Sequence, residues 1–282
     1  MSDNKPIIAL MYDFDKTLCT KDMQEYTFIP RVNMSPEDFW KKTTLLSQKE
    51  KMDPILAYMM LMIDKARSEH VPIHRESFVG MGTDLELFPG VEDWFERINE
   101  VGQEFGVDIE HYIISSGLRE IIEGSSIYKC FKEVFACEFY YDENNVAIWP
   151  KNVVNYTTKT QFLFRINKGI LDLSENTELN AYTPEDERRV PFENMIYVGD
   201  GLTDVPCMKL VKVHGGYSIA VHKPQEKHKV EPLIRDGRVD FIAEADYSAG
   251  SDMENTVTEM IRGMAVRDSL RRKSRKQYNE AK

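Results

Sequence analysis

The sequence predicts an α/β fold, a doubly wound (Rossmann-like) parallel sheet with an inserted helical cap domain. Apolar runs of strand length alternate with helical stretches along most of the 282 residues, as in repeated βαβ units. Three of these runs lead directly into small, hydroxyl or acidic residues. Residues 19–88 interrupt the alternation with helical patterns alone. We therefore expect an α/β core of residues 1–18 and 89–282 and a helical cap domain of residues 19–88.

The first apolar run, residues 7–12, is predicted to be a buried strand, although periodicity alone also allows a buried helical segment. It leads into Asp13-Phe14-Asp15-Lys16-Thr17. Carboxylates at the end of a buried strand need a paired cation or a metal ion. The ordinary alternative is that Asp13 and Asp15 only cap a helix or a turn.

Helix signals fill the predicted insert. Ser35-Pro36 and Asp53-Pro54 each combine an N-cap residue with a proline at the first helical position. The second signal precedes an apolar stripe at helical spacing, which we interpret as core: Ile55, Leu56, Met59, Met60 and Ile63.

The remaining pattern alternates as a parallel sheet requires. Strands are predicted at His111–Ile114, Met195–Val198, Tyr217–Val221 and Phe241–Ala243, helices at Val91–Ile98 and Thr160–Ile166, a strand–turn–strand excursion at 131–156, and a polar loop or surface helix at 172–189.

Three strand ends carry polar clusters: Asp13/Asp15/Thr17, Ser115/Ser116/Gly117 and Asp200/Thr203/Asp204. Parallel strands place their carboxyl ends at one edge of the sheet, so the clusters should meet in space. Carboxylate oxygens suit Mg²⁺, and Lys159 adds a positive charge for phosphoryl oxygens. The set predicts phosphoryl transfer through a carboxylate nucleophile. In the alternative interpretation these polar residues only form turns or cap helices, and this would have to be true at all three strand ends at once.

These residues resemble the motifs of the haloacid dehalogenase-like hydrolase superfamily, in the family's order. The similarity is greatest to the phosphoserine-phosphatase-like branch, which carries a helical cap between the first two motifs. The matching segments are Asp13-Phe14-Asp15-Lys16-Thr17-Leu18, Ile114-Ser115-Ser116-Gly117, Lys159 and Gly199-Asp200-Gly201-Leu202-Thr203-Asp204.

The resemblance implies a role for each position. Asp13 would be the nucleophile and a Mg²⁺ ligand. Asp15 would be the general acid and base and would give its backbone carbonyl to the metal, while Thr17 would orient it. Asp200 would bind Mg²⁺ and Asp204 would support the metal site. The phosphoryl group would be held by Ser115, Ser116, Gly117 and Lys159.

Some positions leave alternatives open. Lys151 and Lys168 lie near Lys159, which is preferred because it opens a helical stretch. Thr203 stands where several relatives carry Asn. Four residues after the first motif either face the active site or, as we expect, lie on the solvated surface: Asp22, Gln24, Glu25 and Arg31.

The predicted activity is Mg²⁺-dependent hydrolysis of a small phosphorylated metabolite. A dehalogenase would need neither Mg²⁺ nor Asp15. A phosphotransferase of the same superfamily stays open, because an acceptor other than water can resolve an aspartyl-phosphate. A non-catalytic regulatory domain that accepts phosphate needs a long-lived aspartyl-phosphate, which a positioned Asp15 would shorten.

Composition limits the partners. The formal net charge of −11 disfavours nucleic acid, and no apolar run reaches the ~18 residues of a membrane span. The start of the chain lacks the basic segment of a signal peptide. The four cysteines have no CxxC spacing, so we expect reduced thiols in a cytoplasmic protein. The basic stretch 271–276 is interpreted as a solvated helix end rather than a site for an anionic partner.

Overall fold

The computed structural model describes residues 5–281, with the side chain of residue 186 left out. Residues 1–4, on which the targeting expectation partly rests, and residue 282 lie outside the described residues. The fold is built on one seven-stranded sheet. Its strands are β1 (Ile7–Tyr12), β2 (Asp108–Leu118), β3 (Glu133–Tyr141), β4 (Ala147–Asn152), β5 (Met195–Gly199), β6 (Tyr217–His222) and β7 (Phe241–Glu244).

The strand order is β4-β3-β2-β1-β5-β6-β7. All neighbouring strands are parallel except β3 and β4, which are antiparallel. The chain therefore proceeds from β1 in one direction along the sheet and returns to build the other half from β5. This reversal makes the sheet doubly wound and puts its switch point between β1 and β5, where such folds bind ligands. The predicted fold class is confirmed.

The second strand runs further than the sequence pattern indicates. It pairs with β1 only as far as Ile113, and its register with β3 shifts between Ile114 and Leu118. Residues 115–117 consequently extend beyond the end of β1 as part of β2, whereas the predicted strand ended at Ile114. The predicted excursion is confirmed as the antiparallel pair β3–β4.

Five helices lie between β1 and the next core helix, as the pattern predicts: α1 (Met23–Tyr26), α2 (Phe28–Arg31), α3 (Pro36–Glu50), α4 (Pro54–Ser68) and α5 (Arg75–Met81). Both predicted caps are present. The Ser35 side chain accepts a hydrogen bond from the Asp38 amide, and Asp53 accepts from the amides of Ile55 and Leu56. The apolar stripe of α4 is only partly core, because Leu56 and Met60 are 36% and 46% exposed.

The two ends of this helical insert lie side by side. The Thr20 amide donates to the Glu86 carbonyl at 2.9 Å, and the Phe88 amide donates to the Leu18 carbonyl at 2.9 Å. Cys19 and Leu87 form an antiparallel bridge between these bonds. The chain thus enters and leaves the insert through a short two-stranded neck next to the first polar cluster. The division at residues 19 and 88 into separate domains stays a prediction.

Aromatic side chains join the insert to the sheet. The Phe78 ring on α5 stacks on Phe139 of β3, with 5.6 Å between centroids, and contacts Phe28 of α2 at 6.2 Å. All three rings are buried in a hydrophobic cluster that continues from the sheet into the insert. Burial of a Phe side chain contributes about 1.5–3 kcal/mol, so these contacts hold the insert against the sheet.

The remaining helices flank the sheet or follow it. They are α6 (Val91–Glu104), α7 (Arg119–Glu123), α8 (Lys159–Lys168), α9 (Thr177–Asn180), α10 (Val205–Val213), α11 (Lys227–Arg235) and α12 (Asp252–Glu280). The polar segment 172–189 is a surface loop that contains the short helix α9 and a 3-10 turn at Glu185–Glu187. It is tied down by Arg165, which donates to the carbonyls of Asp172 and Glu175 at 2.7 and 3.1 Å.

The basic stretch 271–276 belongs to the last part of α12 and is mostly exposed. Within residues 5–281, none of the helices combines the length and the apolar character that a membrane span requires.

A close backbone contact also joins the insert to the core. Gly82, just after α5, lies against Gly124, just after α7. A Cβ atom on Gly82 would come within 2.6 Å of the Gly124 Cα and would collide with the Ile121 carbonyl oxygen. The Gly82 backbone φ of −69° is accessible to any residue. Glycine is therefore required here because there is no space for a Cβ atom.

We expect Gly82→Ala to destabilise the protein by about 1–3 kcal/mol, because backbone atoms must move apart. Gly80→Ala is the matched control, since a Cβ there meets nothing within 4 Å. That substitution, inside α5, should stabilise by up to about 1 kcal/mol through helix propensity. Urea unfolding of both variants measures the difference. Equal effects would contradict the close contact.

Candidate active site

The candidate site lies at the switch point of the sheet, where β1 and β5 end. Asp13 directly follows β1, and its amide donates to the Val198 carbonyl of β5 at 2.9 Å. Asp200 directly follows β5. These two carboxylates and Asp204 offer oxygen atoms that all lie within 4.8 Å of one another. The expected convergence of residues far apart in sequence is therefore present.

Lys159 provides the positive charge of this cluster. Its Nζ lies 3.0 Å from Asp13 Oδ1 and 2.7 Å from Asp204 Oδ1. The Lys159 and Asp204 side chains are both fully buried, and Tyr197 of β5 donates to Asp204 Oδ1 at 2.8 Å. Lys159 is the first residue of α8, and it lies against Asp13 and Asp204, which agrees with the preference for this lysine over Lys151 and Lys168. Lys151 lies on the surface instead, paired with Glu138.

Burial and charge act against each other in this cluster. Burial raises the pKa of Asp13 to about 6, Lys159 opposes this rise, and Asp204 adds to it. Burial also disfavours the charged form of Lys159, but Asp13 and Asp204 outweigh it and the pKa of Lys159 rises. Lys159 therefore stays cationic, because the free energy of its attraction to two carboxylates exceeds the free-energy cost of its desolvation.

Asp200 has no such partner. Burial raises its pKa to about 8, with Asp204 and Asp13 adding to the rise. Across residues 5–281, we find no described side chain that forms a hydrogen bond or ion pair with Asp200. Lys159 pairs with Asp13 and Asp204, and Lys16 acts on Asp200 while it is paired with Asp22, so negative charge remains in excess at a site of hard oxygen ligands. The residues present therefore fit a divalent cation such as Mg²⁺.

Asp15 turns towards the insert. Its Oδ1 accepts a hydrogen bond from the Met23 amide of α1 at 2.9 Å. Burial raises the pKa of Asp15 well above its usual value, and the charges of Asp22 and Asp13 add to this rise. A buried carboxyl group with raised pKa is suited to hold and transfer a proton.

Thr17 lies deeper than its expected role suggests. The side chain is fully buried, and its hydroxyl has no hydrogen-bond partner among the described residues. It forms no hydrogen bond to Asp15. Its backbone carbonyl instead accepts from the Tyr247 hydroxyl at 2.8 Å.

Residues 115–117 bring hydrogen-bonding groups to the site from β2. Ser115 Oγ accepts from the Gly117 amide at 3.0 Å, and the Ser116 carbonyl accepts from the Tyr58 hydroxyl at 2.7 Å. The Ser116 hydroxyl is buried, and none of the side chains or backbone groups of residues 5–281 forms a hydrogen bond with it. A Cβ on Gly117 would collide with Met23 and approach Asp15 Oδ2 to 3.0 Å. A larger residue at this position would therefore displace the Asp15 carboxyl group.

A cavity of about 380 Å³ opens above these residues. Asp13, Asp15, Ser115, Ser116 and Asp200 line its floor. The opposite wall comes from the insert and from the segment after β4, namely Asp22, Gln24, Trp40, Ile55, Tyr58 and Tyr156.

The wall differs from the sequence-based expectation. Gln24 is 2% exposed and faces the cavity, although a surface position was predicted. Asp22 also lines the cavity, whereas Arg31 is exposed and lies outside it. Glu25 accepts a hydrogen bond from the Trp40 indole at 2.9 Å. No pattern in the sequence indicated Trp40 or Tyr156 as cavity residues, since their position depends on how the insert packs on the sheet.

The family model described as haloacid dehalogenase-like hydrolase matches residues 10–209, a span that contains every residue of the acidic cluster. An uncharacterized protein of Borreliella burgdorferi is 28% identical over 292 aligned residues, which cover 93% of this chain and 99% of that protein.

Solved structures share the fold at low identity. A probable phosphoserine phosphatase from Vibrio cholerae matches with a TM-score of 0.58 and 15% identity, over 95% of this chain and 67% of that one. A substrate-bound phosphoserine phosphatase has a TM-score of 0.53 and 15% identity, over 86% and 93%. A HAD family hydrolase of Salmonella enterica serovar Typhi has a TM-score of 0.54 and 19% identity, over 84% and 67%.

We expect Lys159→Met to destabilise the protein by about 3–5 kcal/mol in metal-free buffer, because Asp13 and Asp204 lose their buried counter-charge. Lys151→Met is the matched control. Its ion pair with Glu138 is on the surface, so the loss should be within about 1 kcal/mol. Chemical denaturation at neutral pH measures both. Similar small losses would show that Lys159 is not the main counter-charge.

Proposed function

The chain belongs to the haloacid dehalogenase-like hydrolase family, and from this membership we propose that it is a Mg²⁺-dependent phosphatase. It would hydrolyse a phosphomonoester of a small metabolite through an aspartyl-phosphate intermediate. The observation that carries the proposal is the buried Lys159 bridging Asp13 and Asp204, with Asp200 in the same cluster. The phosphoserine phosphatases of similar fold also support a phosphatase.

Asp13 is the proposed nucleophile and Asp15 the proposed general acid and base. A carboxylate oxygen of Asp13 attacks phosphorus, the ester P–O bond breaks, and the departing alcohol oxygen takes the proton of Asp15. The raised pKa of Asp15 favours this protonated state. In the second step Asp15 takes a proton from water while the water oxygen attacks phosphorus. The acyl–phosphate bond breaks, which releases inorganic phosphate and restores the Asp13 carboxylate.

The proposed Mg²⁺ ligands are Asp13, Asp200 and the backbone carbonyl of Asp15, with Asp204 supporting the site from behind. The raised pKa of Asp200, which has Asp13 and Asp204 as neighbours, supports a need for positive charge there. When bound, the ion supplies charge neutralisation for the phosphoryl group and the carboxylates.

The other polar residues would hold the phosphoryl group. Lys159 would balance charge between the nucleophile and the phosphoryl oxygens, while Ser115, Ser116 and Gly117 would offer hydroxyl and amide donors. The unpartnered Ser116 hydroxyl supports this role. For Thr17 we retain only a packing contribution beneath the site, since its hydroxyl does not reach Asp15.

We propose that residues 19–88 act as a cap over residues 1–18 and 89–282. The cap would exclude bulk water, which strengthens electrostatic interactions inside the cavity. We also propose a cytoplasmic location, supported by four cysteines that are all free. A phosphatase is preferred to a phosphate-accepting regulator because Asp15, placed beside Asp13, would hasten loss of the phosphoryl group.

Asp13→Asn should abolish phosphate release, because an amide cannot act as the nucleophile, while the fold survives. Release from p-nitrophenyl phosphate, with Mg²⁺ and after chelation, measures this. The parent should be active only with Mg²⁺. Asp236→Asn, at an exposed turn, is the matched control and should keep parental activity. Normal activity in Asp13→Asn would refute the nucleophile assignment.

Asp15→Asn should retain substrate binding and lose turnover by about 10²–10⁴-fold, because proton transfer to the leaving group is lost. Steady-state kinetics and a separate binding measurement distinguish the two effects. An ester with a good leaving group should be less affected than an alkyl ester, since it needs less protonation. Equal rates in the variant and the parent would reject this role.

A further inference from the structure

The backbone of residues 115–117 is not held by regular strand pairing. β2 pairs with β1 only as far as Ile113, and its register with β3 shifts between Ile114 and Leu118. Peptide groups that strand pairing does not fix need other hydrogen-bond partners when they are buried. The source of those partners matters here, because the groups proposed to hold the phosphoryl group lie in this segment.

Two helices of the insert supply partners for this segment. The Tyr58 hydroxyl, on α4, donates to the Ser116 carbonyl at 2.7 Å. Met23 Sδ, on α1, accepts from the Leu118 amide at 3.1 Å. Tyr58 is 3% exposed, and its ring packs edge-on against Trp40 with 6.1 Å between centroids. The buried ring leaves the Tyr58 hydroxyl little freedom to move away from the carbonyl.

The bond from Tyr58 also orients the other side of the same peptide group. The Ser116 carbonyl and the Gly117 amide belong to one planar trans peptide, so they point in opposite directions. While the carbonyl is held towards α4, the Gly117 amide points away from it and donates to Ser115 Oγ at 3.0 Å. The Ser115 oxygen thus accepts from the backbone and keeps its own proton for donation. Across residues 5–281 we find no acceptor for that proton.

We infer that Tyr58 is a positioning residue, which orients the Ser115 hydroxyl towards the phosphoryl site through a single peptide group. This role rests on the proposed phosphatase function and adds to it a residue from the insert. Tyr58 fixes the peptide, the Gly117 amide occupies the Ser115 oxygen, and the hydroxyl proton is directed to a phosphoryl oxygen next to Asp13. The set of phosphoryl donors is therefore complete only while α4 lies over the sheet.

Tyr58→Phe removes the hydroxyl and keeps the ring. We expect kcat/KM for p-nitrophenyl phosphate, with Mg²⁺ present, to fall by roughly 3- to 10-fold, which is the effect of one neutral hydrogen bond. Inhibition by inorganic phosphate should weaken by a similar factor, because the affected group binds the phosphoryl end.

A second ester distinguishes positioning from direct contact, since Tyr58 also lines the cavity. Phenyl phosphate should show the same fold-loss in Tyr58→Phe as p-nitrophenyl phosphate. A loss that differs between the two esters, with unchanged inhibition by inorganic phosphate, would show that Tyr58 contacts the leaving group and would overturn the positioning role.

A double-mutant cycle distinguishes positioning from a general contribution to folding. In the Ser115→Ala background, Tyr58→Phe should cost less than about twofold, because the hydroxyl that it orients is absent. Tyr112→Phe is the matched control, since this buried tyrosine of β2 donates to Glu110 at 2.6 Å and should leave kcat/KM unchanged in either background. Equal losses from Tyr58→Phe with and without the Ser115 hydroxyl would contradict the coupling.

A measurement without turnover covers the case in which Ser115→Ala is too slow to assay. The amide resonance of Gly117 in a ¹H–¹⁵N correlation spectrum reports its hydrogen bond to Ser115. In folded Tyr58→Phe this resonance should move upfield, whereas Tyr112→Phe should leave it in place. An unchanged Gly117 resonance in Tyr58→Phe would overturn the positioning role.

The outcomes separate this role from the proposed function. A parent enzyme that hydrolyses both esters with Mg²⁺, together with a Tyr58→Phe variant of equal rate and equal phosphate inhibition, would reject the positioning role and leave the phosphatase standing. A parent that releases phosphate from neither ester in the presence of Mg²⁺ would overturn the proposed function, and the positioning role with it.

Discussion

The structure depends on one buried ammonium group that balances converging carboxylates. Lys159 has no exposed surface and touches both Asp13 and Asp204. An isolated buried charge is strongly unfavourable, so each of these groups is tolerable only because the others are present. The sheet order makes this possible, because β1 and β5 are neighbours and α8 begins with the lysine beneath them. Among residues 5–281, Asp200 has no ion-pair partner in this arrangement, and this excess of carboxylates supports the proposed cation site.

The acidic cluster was predictable from sequence because strand ends are local signals. An apolar run followed by Asp13 or Asp200 identifies both the strand and the edge at which it ends, and parallel pairing then brings the ends together. Lys159 was also predictable, since the start of a helix separates it from Lys151 and Lys168. The Thr17 hydroxyl forms no hydrogen bond with the described residues, and spacing could not show this because it does not reveal which way a side chain points after a turn.

The wall of the cavity was not predictable in the same way. Gln24 lies on a helix of four residues, which is too short to show a periodic buried face. Trp40 and Tyr156 come from segments far apart in sequence, and they line the same cavity only because the insert packs on the sheet. That packing depends on contacts such as Phe78 with Phe139 and Gly82 with Gly124, which a single sequence does not specify.

The hydrogen bond from Met23 to Asp15 ties the proposed proton donor to the insert rather than to the sheet. Because the neck enters the insert beside Asp15, displacement of α1 would release this carboxyl group from its orientation. A substrate too long for the cavity would hold the insert away from the sheet, and Asp15 would then be unable to protonate the leaving group. The enzyme would therefore discriminate against long substrates through the rate of P–O bond cleavage as well as through binding affinity.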